Sequence, residues 1–181
     1  IAGTKGVAAP ENMPGARGWG VSWTDSVGNL WLFGGQCPDP YDEGLLNDLW
    51  KWDGASWTWM SGNPAEGERG VYGTRGVPAP SNVPGSRTDL TAWTDAAGRL
   101  WLFGGYGYSS NDLGDLNDLW RWDGTSWAWM HGSKLTNDSG SVGALGVPAA
   151  TNVPTARSGA IGSAAPDGPA SVLSWATRSR T

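Results

Sequence analysis

The chain has 181 residues, enough for one domain of ordinary size. Its net charge of −5 disfavours binding to nucleic-acid phosphates, which needs clustered Lys and Arg. No run of about 18 apolar residues is present to span a membrane, and the single Cys37 excludes both an intramolecular disulfide framework and a Cys-based zinc site.

The sequence opens at Ile1 with neither an initiator Met nor the charged and apolar regions of a signal peptide, so a processed start is expected. Gly and Trp together make up almost a quarter of the residues. A Gly/Pro-rich chain can be disordered, but disordered chains are poor in aromatics, and here the Trp residues recur at fixed positions. A packed core is therefore expected.

Internal repetition dominates the chain. Gly3-Thr4-Lys5-Gly6-Val7 returns as Gly73-Thr74-Arg75-Gly76-Val77, and Asn12-Met13-Pro14-Gly15-Ala16-Arg17 as Asn82-Val83-Pro84-Gly85-Ser86-Arg87. Leu30-Trp31-Leu32-Phe33-Gly34-Gly35 returns as Leu100-Trp101-Leu102-Phe103-Gly104-Gly105, and Asn47-Asp48-Leu49-Trp50 as Asn117-Asp118-Leu119-Trp120. Ser56-Trp57 through Met60 returns as Ser126-Trp127 through Met130, always at an offset of 70 positions without a gap.

Within a unit the apolar residues alternate, as in Trp50 and Trp52 or Trp57 and Trp59, which places them on one face of a strand. Strands are predicted at 19–25, 29–34, 47–52 and 56–60, with equivalents at 89–95, 99–104, 117–122 and 126–130. Ser26-Val27-Gly28 joins the first pair, and Asp53-Gly54, a hairpin signal, joins the last. No segment carries an apolar stripe of period 3.6, so the fold class is all-β. The expected organisation is a leading segment 1–18, a sheet unit 19–60, a long connection 61–88, a second unit 89–130, and a connection with an incomplete third unit at 131–181.

Arg17, the run Leu30 to Gly34-Gly35, then Asp48, Trp50 and finally Trp57 resemble the kelch repeat, and Arg87, Gly104, Gly105, Asp118, Trp120 and Trp127 carry the same set in the second unit. The resemblance covers about residues 15–60 and 85–130. It implies four-stranded blades of a β-propeller, of the kind found in the central domain of galactose-oxidase-like proteins. Kelch units run about 50 residues, so the surplus falls in 61–86 and 131–156. Alternating strand directions put these connections on one face with 36–46 and 106–116, where functional elaboration is expected.

Galactose-oxidase chemistry would need two His, two Tyr and a Cys cross-linked to Tyr, whereas this chain has only His131 and Cys37. Neither a metal site nor a cofactor is expected, and no catalytic residue is assigned. His131 reads as a partly exposed residue standing where the first unit has Ser61. Asp39, Asp42 and Glu43, with Asn111, Asp112 and Asp115, supply oxygen donors on the long-loop face, but their spacing fits no calcium loop, and a solvated loop is the simpler reading.

Asn47-Asp48 and Asn117-Asp118 are expected to fix strand entry, with Arg17 and Arg87 pairing with those carboxylates. Trp31, Trp50, Trp57 and Trp59 are expected in the core. Tyr41, Tyr72, Tyr106 and Tyr108 sit in long-loop segments outside the predicted strands and are expected at a recognition surface; Tyr41, Asp42, Tyr106, Tyr108 and Asp112 are the candidate binding residues.

The third unit begins with Gly146-Val147-Pro148 and Arg157, then loses the pattern: Ser171-Val172-Leu173-Ser174-Trp175 stands where the diglycine run should be. The tail beyond about 160 is expected to be irregular. Two units cannot close a ring of 4–8 blades, so a fragment of a longer array, or an oligomer of part-propellers, is expected. Three functions are consistent with these features: a noncatalytic binding or scaffold module whose long-loop face meets a protein or glycan, part of a carbohydrate-active enzyme with catalytic residues elsewhere, or a structural repeat of a surface protein. The cellular location is not legible in the residues.

Overall fold

The computed structural model describes residues 2–38, 44–163 and 171–172. Among them the fold is all-β. Strands β1 (Val21–Thr24), β2 (Leu30–Gln36), β3 (Leu45–Trp52) and β4 (Trp57–Ser61) form a four-stranded antiparallel sheet in the order β1-β2-β3-β4. Strands β5 (Arg87–Thr88), β6 (Thr91–Thr94), β7 (Leu100–Tyr108), β8 (Leu113–Trp122) and β9 (Trp127–His131) form a second, in which β5 and β6 both pair with β7. A two-residue pair, β10 (Gly162–Ser163) with β11 (Ser171–Val172), follows. The expected irregularity beyond 160 thus meets one short ladder; the rest of the tail lies outside the described residues.

Local chemistry explains the strand ends. Between β1 and β2, Asp25 accepts hydrogen bonds from the backbone N–H of Val27 and Asn29, closing a turn. Between β3 and β4 the Asp53-Gly54 pair forms a four-residue loop, with Asp53 accepting from the N–H groups of Ala55 and Ser56. The first strand of each unit is shorter than predicted because Trp19 and Asp89 take left-handed backbone, φ 53° and 52°. That kink separates β5 from β6. Conversely, β7 and β8 run on to Tyr108 and back to Leu113, so most of the loop expected at 106–116 is paired strand.

Alternation then decides the core. Along sheet 1, Trp31 and Phe33 project to one side, and Leu30, Leu32 and Trp52 to the other. The Trp31 and Phe33 side packs on the Leu100, Leu102, Trp120, Trp122 and Trp127 side of sheet 2. Trp31 meets Trp122 at 6.3 Å between ring centroids, and Phe33 meets Trp127 edge-on at 5.6 Å. The first diglycine sits at this junction. Gly34 has φ 62°, and a Cβ there would lie 2.9 Å from the Arg87 carbonyl oxygen; Gly104 repeats this with φ 61° against Arg157.

The long connection is not a free loop. Residues 71–83 leave the end of sheet 1, run beside β9 and return. Val71 pairs with Val83, Gly76 N–H donates to Trp129 O at 2.7 Å, and Ala79 bridges Trp127. The leading segment does the same for sheet 1, where Gly6 N–H donates to Trp59 O and Ala9 bridges Trp57. Each such segment covers the outer edge strand of the sheet that follows it, an edge that would otherwise invite foreign strands.

Candidate functional site

Two polar nodes brace one end of the sheets. The sequence-suggested pairing of Arg17 with Asp48 is present: Nη2 donates to Oδ2 at 2.8 Å, Nη1 donates to Oδ1, and Nη1 reaches Gly34 O. Trp50 Nε1 donates to the same carboxylate. In sheet 2, Arg87 donates to both Asp118 oxygens at 2.6 and 2.8 Å and to the Gly85 and Gly104 carbonyls. Trp120 Nε1 also donates to Asp118.

The second node has an extra member. Tyr72 OH donates to Asp118 Oδ2 at 2.7 Å, and its ring packs on Trp120 and Trp129. Tyr72, expected at a recognition surface, is only 3% exposed and belongs to the core. The correction has a simple cause: a Tyr hydroxyl beside a buried carboxylate satisfies an acceptor that already receives the guanidinium. Burial, and then the Asp118 charge, push the phenol pKa up, so Tyr72 stays a donor. Burial alone would loosen the Arg87 proton, but Asp118 more than offsets this and holds the guanidinium protonated.

Asn47 and Asn117 stitch the connections to the same end. Asn47 donates to Pro84 O and accepts from Asn63 N–H, while Asn117 donates to Pro154 O and accepts from Ser133 N–H. One asparagine therefore ties both ends of its long connection to the strand entry.

Above these nodes lies the face where the β7–β8 connection meets residues 132–138. Ser109 Oγ accepts from Asn111 and Asp112 N–H, forming a tight turn that leaves Asp112 exposed. Ser110 Oγ donates to Lys134 O at 2.9 Å, and Asn137 and Asp115 exchange two further bonds. Tyr106 and Tyr108 lie half-buried on β7 rather than in a loop, and Tyr108 borders Gly67 of the first long connection. Tyr106, Tyr108 and Asp112 thus share one end of sheet 2, braced from below. Tyr41 and Asp42, like Asp39 and Glu43, lie outside the described residues. His131, half-buried, donates from Nε2 to Ala150 O at 2.8 Å.

Of the Trp residues expected inside, Trp31 and Trp50 are buried, while Trp57 and Trp59 are half-buried on the open side and edge of sheet 1. Sequence reasoning missed Asn12 and Asn82, which are 4% and 2% exposed and donate to Trp57 O and Trp127 O. Their recurrence at the repeat offset was the signal available. Chemically, this end offers carbonyl and carboxylate acceptors beside two phenols. Among the described residues no group of three or more His, Cys, Asp or Glu converges as metal ligands would, and no helix is long and apolar enough to cross a membrane. Compared with models of known families and with curated proteins, the chain matches none.

Proposed function

We propose that the chain is a noncatalytic kelch-like module, two consecutive blades of a β-propeller, that presents the Tyr106, Tyr108 and Asp112 end to a protein or glycan partner. The observation that carries this reading is the repetition of one inter-sheet contact. The Arg87 carbonyl oxygen lies 2.9 Å from where a Cβ on Gly34 would stand, and the Arg157 carbonyl oxygen lies the same 2.9 Å from a Cβ on Gly104. The junction between the first two units is thus begun again after the second, as a directional, radial array requires. Phenols beside exposed acceptors suit a polar partner, since Tyr gives apolar area and a hydrogen bond together.

The test is a glycan array and a protein pull-down with the whole chain, repeated with Tyr106→Ala/Tyr108→Ala and with Asp112→Asn. Binding lost in the double variant and weakened in Asp112→Asn is expected. Binding that both variants retain moves the site elsewhere, and turnover of any captured sugar by the chain overturns the noncatalytic reading.

A further inference from the structure

The connection that follows sheet 2 repeats the shape of the two segments that cover edge strands. In the leading segment, Val7 N–H donates to Thr4 O, Asn12 N–H to Ala9 O and Asn12 Nδ2 to Val7 O, with Gly6 at φ 78°. The second has Val77 to Thr74, Asn82 to Ala79 and Asn82 Nδ2 to Val77, with Gly76 also at φ 78°. In the third, Val147 N–H donates to Ala144 O at 3.0 Å, Asn152 N–H to Ala149 O at 3.0 Å and Asn152 Nδ2 to Val147 O at 3.0 Å, with Gly146 at φ 76°. The closing bridge recurs too, as Val71 with Val83 and then Ser141 with Val153. In all three the asparagine Oδ1 packs where the Cβ of a glycine would stand, Gly3, Gly73 or Gly143.

The first two segments are occupied. Gly6 N–H and Asn12 Nδ2 hold Trp59 O and Trp57 O at 2.8 and 2.9 Å; Gly76 N–H and Asn82 Nδ2 hold Trp129 O and Trp127 O at 2.7 and 3.0 Å. Carbonyls two residues apart point to the same side of a strand, so this donor pair matches one edge of an extended Trp-x-Trp segment. The third segment has the same donor pair and no strand against it among the described residues. Residues 141–151 are exposed, and Asn152 is half-buried where Asn12 and Asn82 are buried.

We propose that residues 141–153 form a prefolded strand-binding clip whose ligand is the Trp-x-Trp-Met edge strand of another unit of this repeat. Gly146 N–H and Asn152 Nδ2 take the two Trp carbonyls, a form of β-strand addition in which the main chain gives affinity. The ligand identity follows from the sister clips, both of which hold Trp-x-Trp-Met. One contact differs. Lys5 lies over Trp59 and Arg75 over Trp129, both within cation–π reach, whereas the third clip has Leu145, fully exposed. The second Trp of the ligand therefore meets a leucine side chain, and capture is less sensitive to salt than at a clip with a cation. His131, through Ala150 O, ties the clip to the end of β9. The inference is independent of any partner at the Tyr106 and Tyr108 end.

The test follows the Gly146 amide and the Asn152 side-chain amide by NMR and hydrogen exchange in the whole chain. The probe is a synthetic hairpin of residues 47–61, free and also tethered to the carboxyl end by a flexible Gly/Ser linker that raises its effective concentration to about millimolar. Without the probe, the Gly146 amide exchanges fast while those of Gly6 and Gly76 are protected. With the tethered hairpin, Gly146 exchange slows at least about tenfold, because capture adds a hydrogen-bonded closed state from which the amide must open before it exchanges. Asn152→Ala in the chain removes the protection, Trp57→Ala/Trp59→Ala in the hairpin weakens it by deleting the side-chain contacts while leaving the carbonyls, and Leu145→Arg tightens capture about two- to fivefold. Unchanged Gly146 exchange with the tethered hairpin, or equal protection by the Trp-less hairpin, overturns the proposal.

Discussion

At the scale of single residues, the two Arg–Asp nodes differ in ways that predict their mutants. The Arg87 and Asp118 side chains are fully buried, while those of Arg17 and Asp48 retain 6% and 2% exposure. Removing one partner of a buried pair strands the other charge. Asp118→Ala is therefore expected to cost about 3–5 kcal/mol by chemical denaturation, and Asp48→Ala less, because solvent reaches Arg17 and no Tyr hydroxyl is stranded. Replacing both partners, Arg87→Met with Asp118→Leu, should recover much of the loss. That Asp118 would pair with Arg87 was legible, since both recur at the repeat offset. That Tyr72 would join them was not: position 72 corresponds to Ala2 in the first unit, so no repetition marked it.

Acid stability is set by residues of the same kind. Partial burial alone would raise the Asp25 and Asp95 carboxyls. Hydrogen bonds from Trp31 and Asn29 to the first, and from Trp101 and Arg99 to the second, outweigh that and hold both below their ordinary value. A carboxyl depressed in the fold stabilises it above its unfolded pKa, about 3.9, and that contribution is lost as pH falls through the folded value. Thermal melts should therefore decline below about pH 4. Asp25→Asn with Asp95→Asn should flatten the acid limb while lowering stability near neutrality.

At the scale of elements, the diglycines within β2 and β7 are the points where backbone approaches backbone. Gly35 and Gly54 share φ 98°, yet a Cβ on Gly35 would stand 2.6 Å from the Gly18 carbonyl, and one on Gly54 would meet nothing within 4 Å. Gly54→Ala should cost about 1–2 kcal/mol, the backbone penalty alone. Gly35→Ala should cost more, and the difference in denaturation midpoints reports the contact. The strands themselves were legible because period-two alternation and Asp-Gly turns act locally. Their limits were not. The left-handed kinks at Trp19 and Asp89 cut the first strand short, and pairing with β8 drew Tyr106 and Tyr108 out of the expected loop. The long connections also read as loops, because an edge-covering segment such as 73–82 has little apolar alternation; its role comes from donors aimed at another element.

At the scale of the whole molecule, two identical sequences have different fates. Leu30 is 47% exposed and its counterpart Leu100 is 2% exposed. Leu100 lies between the sheets, while Leu30 faces the uncovered side of sheet 1, together with half-buried Trp52 and Trp57. Leu100→Ala should cost about 2–5 kcal/mol and Leu30→Ala within about 1 kcal/mol, measured by denaturation of the whole chain. Equal costs would mean that the Leu30 side is covered in solution, as a further unit or a second copy would do.

Sequence alone determined that this protein is all-β, that its unit recurs at a fixed spacing, and that Arg17 and Arg87 belong with Asp48 and Asp118, because alternation, turn chemistry and repetition are properties of neighbouring or equivalent positions. Only the tertiary structure decided that Leu100 is core and Leu30 is surface, that Tyr72 serves a carboxylate rather than a ligand, and that the leading segment and the first long connection cover the edge of the sheet that follows each. Burial and hydrogen-bond partnership depend on what lies opposite, and a residue's own sequence does not specify that.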